Sequence, residues 1–174
     1  MQSFDRRLVE WASGLDWPLV TPVMRDLSAY HHELTIALAV GAALLARRWS
    51  VLALTVVTIP LAAGLDAVLK ALIDRPRPFV GDPAVHPLIA RPHDPSMPSG
   101  HALTAFACAT VIGLLVPPVR LPAYGLAAAI AVSRVYLGVH YPSDVLVGAA
   151  IGCGLGVAVV VGARAGVRAL RPAH

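Results

Sequence analysis

Charged side chains are scarce in this chain of 174 residues. Asp, Glu, Lys and Arg make up 14% of the sequence, whereas 57% of the residues are hydrophobic and the mean hydropathy is +0.70. This composition excludes an ordinary soluble domain, which could not keep so much hydrocarbon away from water. The length allows one domain, and a lipid bilayer is the solvent that such a surface requires.

Acidic residues and cysteines are also few. Ten Asp and Glu residues stand against fourteen Lys and Arg residues, which gives a net charge of +4 and a pI near 9.6. The basic residues lie in short motifs and in loops rather than on one polar face, so we exclude nucleic acid as a partner. Cys108 and Cys153 both lie in apolar runs, which predicts small core residues rather than a disulfide or a metal pair.

Five apolar segments predict an all-α membrane helix bundle, and they cover residues 33–46, 51–73, 102–116, 121–132 and 145–163. Several are shorter than the roughly 20 residues that span a bilayer, so their helices must include flanking residues. Residues 4–30 mix aromatic with charged side chains and predict an amphipathic interfacial helix broken by Pro18 and Pro22. A sixth spanning helix in that segment is the less favoured alternative.

We therefore expect a single membrane domain over residues 1–174, with five or six transmembrane helices. It comprises an N-terminal helical segment (1–30), a helix bundle (31–163) and a basic tail (164–174). If each span crosses once, six arginines outside the polar motifs fall on one side, which the positive-inside rule makes cytoplasmic. These are Arg47, Arg48, Arg120, Arg164, Arg168 and Arg171. The polar motifs then share the opposite face.

Three polar motifs interrupt the apolar segments. The first is Lys-Ala-Leu-Ile-Asp-Arg-Pro-Arg-Pro at 70–78, the second is Pro-Ser-Gly-His at 98–101, and the third is Ser133-Arg134 followed by His140 and Asp144. Cations are costly within a bilayer, so membrane proteins place them mainly where they have a function. Such a cluster suits phosphoryl transfer without a metal.

The first two motifs contain groups that bind phosphate. Ser99 and Gly100 directly precede an apolar helix, where glycine lets the backbone approach an oxyanion and the helix N-terminus attracts it. Lys70, Arg77 and Arg134 add positive charge, and arginine can bind two phosphate oxygens at once.

The third motif supplies a nucleophile. His140 precedes Asp144 by four residues, so we expect the carboxylate to bind one ring nitrogen and leave the other free to attack phosphorus. His101 would protonate the departing oxygen. Asp144 also begins a stripe with Gly148, Gly152 and Gly156, which favours close packing within the molecule over homodimerisation.

The three motifs resemble the signatures of the type 2 phosphatidic acid phosphatase family, which shares its site with vanadium-dependent haloperoxidases. The resemblance implies that His140 is a nucleophile that forms a phosphohistidine, that Asp144 is its partner and that His101 is the general acid. It implies phosphate binding by Lys70, Arg77, Ser99, Gly100 and Arg134, and no metal or other cofactor. The motifs extend over residues 70–144.

The resemblance implies a membrane lipid phosphatase, and a small chain of this type looks bacterial. The positive-inside rule places its site on the extracytoplasmic side of the plasma membrane. A polyprenyl diphosphate such as undecaprenyl diphosphate is the first choice of substrate. The alternatives are phosphatidylglycerol phosphate, phosphatidate and a polyprenyl-linked sugar phosphate. A catalytically silent membrane protein that binds anions is the rival from another class, and a haloperoxidase is disfavoured because those enzymes are soluble. The oligomeric state stays open.

Other polar residues carry weaker expectations. Asp66 lies one helical turn before Lys70 and is expected to hold it in place, although a purely structural pair is a serious alternative. Ser133 is expected beside the site. Four residues of the proline-rich loop 79–98 could contact a headgroup or only solvent, namely His86, Arg91, His93 and Asp94. His31, His32 and Glu33 are expected to mark a membrane boundary.

Overall fold

The computed structural model describes residues 2–169, and within this range all regular structure is helical. The helices are α1 (Gln2–Ser13), α2 (Val20–Ala29), α3 (His31–Ala46), α4 (Ser50–Ile73), α5 (Pro78–Gly81), α6 (Gly100–Leu115), α7 (Arg120–Tyr136) and α8 (Pro142–Ala169), with a 3₁₀ turn at Pro117–Val119. The predicted all-helical fold is confirmed. Part of the predicted basic tail, including Arg171, lies outside the described residues.

Helix α6 forms the centre of the bundle. Nearly all of its residues from Ala102 to Gly113 are buried, and it packs against α3, α4, α7 and α8. Its core contacts are mostly alanine, such as Ala39 and Ala43 of α3 and Ala127 of α7. Small side chains bring the helix axes close together, which is how helices associate without help from water.

The glycine stripe of α8 faces α6. A Cβ atom on Gly148 would lie 2.6 Å from the carbonyl oxygen of Ser99, and one on Gly152 would lie 2.3 Å from that of Leu103. Gly156 approaches Ala107 in the same way. Each glycine therefore lets the two backbones touch, so the stripe serves packing within the molecule. This contact also brings the start of α8, with Asp144, beside the start of α6.

The N-terminal segment forms two helices rather than one. Helix α1 ends at Ser13 and α2 begins at Val20, with Pro18 in the break between them. The predicted break at Pro22 is wrong: this proline lies in the first turn of α2. Proline is tolerated there because the N–H groups of a first turn have no carbonyl partner in their own helix.

The described residues contain fewer clear membrane spans than the five or six predicted. By length and composition, Ser50–Gly81 and Pro142–Ala169 could cross a membrane, and the pair Val20–Ala29 and His31–Ala46, bent by 73°, could form a third span. The other predicted spans form helices at the expected places, but α6 has 16 residues and α7 has 17. At 1.5 Å per residue they measure about 24 and 26 Å, less than the roughly 30 Å of a hydrocarbon core.

The two ends of the bundle differ in chemistry. Ser50 of α4, Leu115 of α6 and Arg164 of α8 line one cavity, and Arg120 of α7 packs against Gly113 of α6 near the same end. Arg47, Arg48, Arg120, Arg164 and Arg168 therefore lie where α4 and α7 begin and where α8 ends. The three polar motifs lie at the opposite end.

Candidate active site

The three motifs meet around a cavity of about 310 Å³ at the end of the bundle opposite Arg120 and Arg164. Seven of the residues singled out from the sequence line it, namely Asp66, Lys70, Arg77, Gly100, His101, Arg134 and His140. They come from four places: the end of α4 and the loop after it, the start of α6, the end of α7, and the loop between α7 and α8. Convergence of these helix ends places residues that are 70 positions apart around one small volume.

The carboxylate of Asp94 bridges Lys70 and Arg77 in the wall of the cavity. The ammonium Nζ of Lys70 lies 2.8 Å from Asp66 Oδ2 and 2.6 Å from Asp94 Oδ2. Arg77 contacts the other oxygen of Asp94 at 2.9 Å and donates through Nε to the Asp94 carbonyl. Burial opposes ionisation of Asp94, but the bond from Lys70 and the charge of Arg77 lower its pKa to about 2. Asp94 is thus a carboxylate at physiological pH.

Polar groups that lack a partner lie at the start of α6 and at the end of α7. Ser99 is fully buried, yet its hydroxyl has no hydrogen bond and does not cap the helix. Arg134 is 4% exposed and donates through Nη1 to the Ser28 hydroxyl, but its Nε is also unpaired. A Cβ on Gly100 would lie 2.6 Å from Asp66 Oδ2, so the glycine leaves room for that carboxylate. Buried donors are rarely left unpaired, so these two point to an anion as their partner.

His140 is oriented by a carbonyl oxygen. Its Nδ1 lies 2.8 Å from the Ser96 carbonyl oxygen, which can only accept, so Nδ1 carries the proton and Nε2 has the lone pair. Nε2 accepts from Arg77 Nη1 at 3.2 Å. Burial lowers the pKa of His140 to about 4, and Arg77 and Arg134 act in the same direction whereas Asp144 opposes them. The imidazole is therefore neutral, and its unprotonated nitrogen faces the cations.

Asp144 supports His140 less directly than the spacing suggested. Its Oδ2 is 3.6 Å from His140 Nδ1, beyond hydrogen-bond distance, and instead accepts bonds from Ser96 Oγ and the Tyr141 N–H. Ser96 thus bridges the pair, because its carbonyl binds the histidine and its hydroxyl binds the carboxylate. The other oxygen, Oδ1, accepts from Arg75 at 2.6 Å. The carboxylate contributes charge beside the imidazole, while the loop sets the ring's tautomer.

The ring of His101 stacks on a neighbouring histidine ring. Its ring centroid lies 4.0 Å from that of His31, which in turn lies 3.9 Å from that of His32. Nδ1 of His31 binds the Ser28 carbonyl, which fixes that ring. All three histidines line the cavity. His31 and His32, expected at a membrane boundary, therefore belong to the wall of the site.

The sequence indicated some residues of the site only weakly, and the contact expected of Ser133 is not made. Ser133 is buried, but its hydroxyl binds the Ile130 carbonyl of its own helix rather than any group of the site. Asp94 was one of four loop residues without a decided role. Ser96 and Arg75 were not singled out, although both lie within two residues of a motif position.

Comparisons with known proteins cover the same residues. A family model described as the PAP2 superfamily matches residues 49–166, a range that contains all three motifs. The decaprenylphosphoryl-5-phosphoribose phosphatase of Mycobacterium tuberculosis is 38% identical over 102 residues, covering 56% of this chain and 53% of that protein. The undecaprenyl-diphosphatase of Sulfolobus acidocaldarius is 34% identical over 133 residues, covering 75% of this chain and 64% of that protein.

The fold has a solved counterpart. The transmembrane PAP2-type phosphatidylglycerolphosphate phosphatase of Bacillus subtilis superposes with a TM-score of 0.73 at 25% identity, covering 99% of this chain and 89% of that one. The chain spans about half the length of the mycobacterial relative it matches. Because the family model covers more than half of the chain and contains every residue of the three motifs, this protein belongs to the PAP2 superfamily.

Proposed function

We propose that this protein is a membrane lipid phosphatase that works without a metal and through a phosphohistidine. The observation that carries the proposal is the cavity itself: the unprotonated Nε2 of His140 faces it together with three cations, while two buried donors, Ser99 Oγ and Arg134 Nε, lack a partner. A phosphoryl group in the cavity would give Arg134 Nε an acceptor and bring its phosphorus toward Nε2, and Ser99 directly precedes Gly100, which lines the same cavity. The relatives above are themselves named phosphatases.

The residues divide the first chemical step between them. Nε2 of His140 attacks phosphorus, and the bond to the lipid oxygen breaks on the opposite side. Lys70, Arg77 and Arg134 stabilise the charge on the equatorial oxygens, together with the N–H groups at the start of α6. His101 gives its proton to the lipid oxygen as it leaves. His140 becomes cationic in this step, and the Asp144 carboxylate stabilises that charge.

Water completes the reaction in the second step. His101, now neutral, accepts a proton from the water that attacks the phosphohistidine, so that inorganic phosphate forms and His140 regains its lone pair. The three cations are in place for both steps. They supply the positive charge that a divalent metal supplies in other phosphatases.

Asp94 competes with the substrate for two of these three cations. Its carboxylate contacts both Lys70 and Arg77, which are the groups that must bind phosphate oxygens. A phosphoryl group with about two negative charges competes with a single carboxylate for them. The side chain of Asp94 is 49% exposed, so it has room to turn away when substrate binds.

Undecaprenyl diphosphate or a similar polyprenyl diphosphate is the proposed substrate. The archaeal relative that matches 75% of this chain at 34% identity is named an undecaprenyl-diphosphatase. A second candidate is a polyprenyl-linked sugar phosphate, supported by the 38% identity to a decaprenylphosphoryl-5-phosphoribose phosphatase. Phosphatidylglycerol phosphate is a third, supported by the matching fold of the Bacillus enzyme, and phosphatidate is the remaining alternative.

We also propose that α3, α4, α6, α7 and α8 all cross the plasma membrane of a bacterium, with α1 in its interface. The short helices α6 and α7 are the central part of the bundle, where neighbouring helices and local thinning can accommodate them. The arginines at the other end of the bundle support a cytoplasmic position for that end. The active site then opens on the extracytoplasmic side.

A phosphate-release assay on the purified protein in detergent tests the function. We expect release from undecaprenyl diphosphate in the presence of EDTA, inhibition by vanadate, and no release by the His140→Ala variant. The values of kcat/KM rank this lipid against three others, namely phosphatidylglycerol phosphate, phosphatidate and a polyprenyl-linked sugar phosphate. Release from none of the four lipids would favour a silent anion-binding protein, and strict dependence on magnesium would contradict the mechanism.

A further inference from the structure

The N-terminal helix reaches the start of α8. Asp5, in the first turn of α1, is 4% exposed although it is a carboxylate. It accepts hydrogen bonds from the Ser143 N–H at 3.2 Å and from the Ser143 hydroxyl. Ser143 is the second residue of α8, so Asp5 satisfies an N–H group that has no partner within that helix.

Arg75 joins this carboxylate to the one beside the nucleophile. Its Nη2 contacts Asp5 Oδ2 at 3.2 Å, and its Nη1 donates to Asp144 Oδ1 at 2.6 Å and to Ser143 Oγ at 2.7 Å. The guanidinium also lies 4.2 Å from the centroid of the Tyr141 ring. The guanidinium of Arg75 thus binds the carboxylates of both Asp5 and Asp144, and its planar geometry fixes their relative positions.

The contacts of Asp144 show what this arrangement controls. Its Oδ1 is held by Arg75, whereas its Oδ2 binds Ser96 and faces His140. Turning the carboxylate would break the bridge through Ser96 that orients the imidazole. The side chain of Asp144 is completely buried, so few other groups can hold it.

We propose that Asp5 and Arg75 are positioning residues for Asp144, so that α1 is part of the catalytic centre rather than only an interfacial anchor. This inference rests on the proposed function, in which Asp144 supports His140. Neither Asp5 nor the rest of α1 lies in residues 49–166, which the family model matches. Arg75 lies inside that range but is not one of the five motif residues expected to bind phosphate.

The charges predict the direction of the electrostatic effect on His140. Four charged or titratable groups face this imidazole: Asp144 from α8, Arg77 from the loop before α5, Arg134 from α7 and His101 from α6. Replacing Arg75 by Gln leaves the charge of Asp144 less neutralised, which favours protonated His140. Replacing Asp5 by Asn leaves the charge of Arg75 less neutralised, which disfavours it.

NMR of the ring-labelled histidines measures this effect without turnover. In detergent, the His140 signal is assigned by its absence from His140→Ala, and its pKa is then compared between variants. We expect the pKa to rise in Arg75→Gln, to fall in Asp5→Asn and to stay unchanged in Glu10→Gln, which alters an exposed carboxylate of the same helix. Shifts of the same sign in the first two variants, or no shift in either, would overturn the proposal.

Kinetics separates positioning from general damage. We expect Arg75→Gln to lower kcat by about 10–100-fold, the usual effect of losing a group that orients a reacting side chain. The inhibition constant for inorganic phosphate should stay within a few-fold, because the phosphate-binding residues are intact. Arg75→Lys should recover part of kcat by restoring the charge. A parallel loss of phosphate binding would instead indicate a collapsed site and contradict the proposal.

A double variant provides the last control. If Asp5 acts through Arg75, adding Asp5→Asn to Arg75→Gln should lower kcat no further, since the first change has already broken the connection. If the double variant lost kcat by the product of the two single losses, the dependence of Asp5 on Arg75 would be contradicted. If wild type released no phosphate at all, the proposed function would fail, whereas the NMR titration would still decide whether Asp5 and Arg75 control His140.

Discussion

Two side chains at the reaction centre should differ in how much activity depends on them. His140→Ala removes the nucleophile, so we expect phosphate release to fall to the background of the assay. Asp144→Asn keeps the shape and the nucleophile but removes the charge, so its loss should be smaller, though still about 10²-fold or more. For both variants kcat is measured in detergent, after their melting temperatures have been shown to equal that of the wild type. Activity of His140→Ala within tenfold of wild type would show that another group attacks phosphorus.

The lowered pKa of His140 predicts an acid-tolerant enzyme. Burial, then Arg77 and Arg134, lower this pKa from 6.5 to about 4 against the opposing effect of Asp144. The imidazole stays neutral above that value, so kcat/KM should hold down to about pH 5 and fall about tenfold per unit below pH 4. The ionisation of the substrate is measured separately by phosphorus NMR, and its effect on kcat/KM is removed from the profile. A fall centred near pH 6.5 would mean that the imidazole has an ordinary pKa in the folded protein.

The same shift determines how His140 affects stability. Between pH 6.5 and 4 the unfolded chain binds a proton at this residue that the folded protein does not bind. The free energy of unfolding therefore decreases as the pH falls through that window, and the contribution is constant above it.

The role of His101 can be separated by the leaving group. A lipid monophosphate expels an alkoxide, which needs a proton, whereas a diphosphate expels a phosphate ester, which leaves readily. General acid catalysis is typically worth about 10²–10⁴-fold, and the benefit decreases as the leaving group improves. We expect His101→Ala to impair monophosphate hydrolysis far more than diphosphate hydrolysis with lipids of matched chain. Equal losses would mean that His101 mainly binds the phosphoryl group.

At the scale of residues, sequence reasoning found the groups with distinctive chemistry and missed those that only connect them. Lys70, Arg77, Arg134, His101 and His140 could be predicted because cations and histidines are unusual in an apolar chain. Ser96 could not, because its carbonyl and hydroxyl act through a loop conformation that the sequence does not reveal. For Asp5 the signal was present, since it lies one turn before Val9 on the buried face of α1.

At the scale of helices, the apolar segments predicted which elements exist but not how they end. Each of the five segments corresponds to a helix, and α7 and α8 extend past the predicted limits into the motifs. Hydropathy misses these extensions because the added residues are polar and are stabilised by contacts at the site. Ser133 and Arg134, for example, continue α7 by one turn beyond its apolar part.

Contact between α6 and α8 sets the position of Asp144, so it should be sensitive to single methyl groups. We expect Gly152→Ala to destabilise the protein by about 1–3 kcal/mol, because its Cβ would meet the Leu103 backbone. Gly154→Ala is the matched control, since nothing lies within 4 Å of the Cβ it would add. Melting temperatures in the same detergent check both. Equal stability of the two variants would show that the helices are not in close contact there.

The whole molecule has an orientation that its arginines predict. With the arginine-rich end in the cytoplasm, the loop 79–98 lies outside and the end of α8 lies inside. Single cysteines at two exposed positions, Ala90→Cys and Ala165→Cys, can be introduced after Cys108→Ala and Cys153→Ala. On intact cells an impermeant maleimide should label residue 90, and residue 165 only after the membrane is opened. The reverse pattern would place the site in the cytoplasm and remove the reason for preferring a substrate of the outer leaflet.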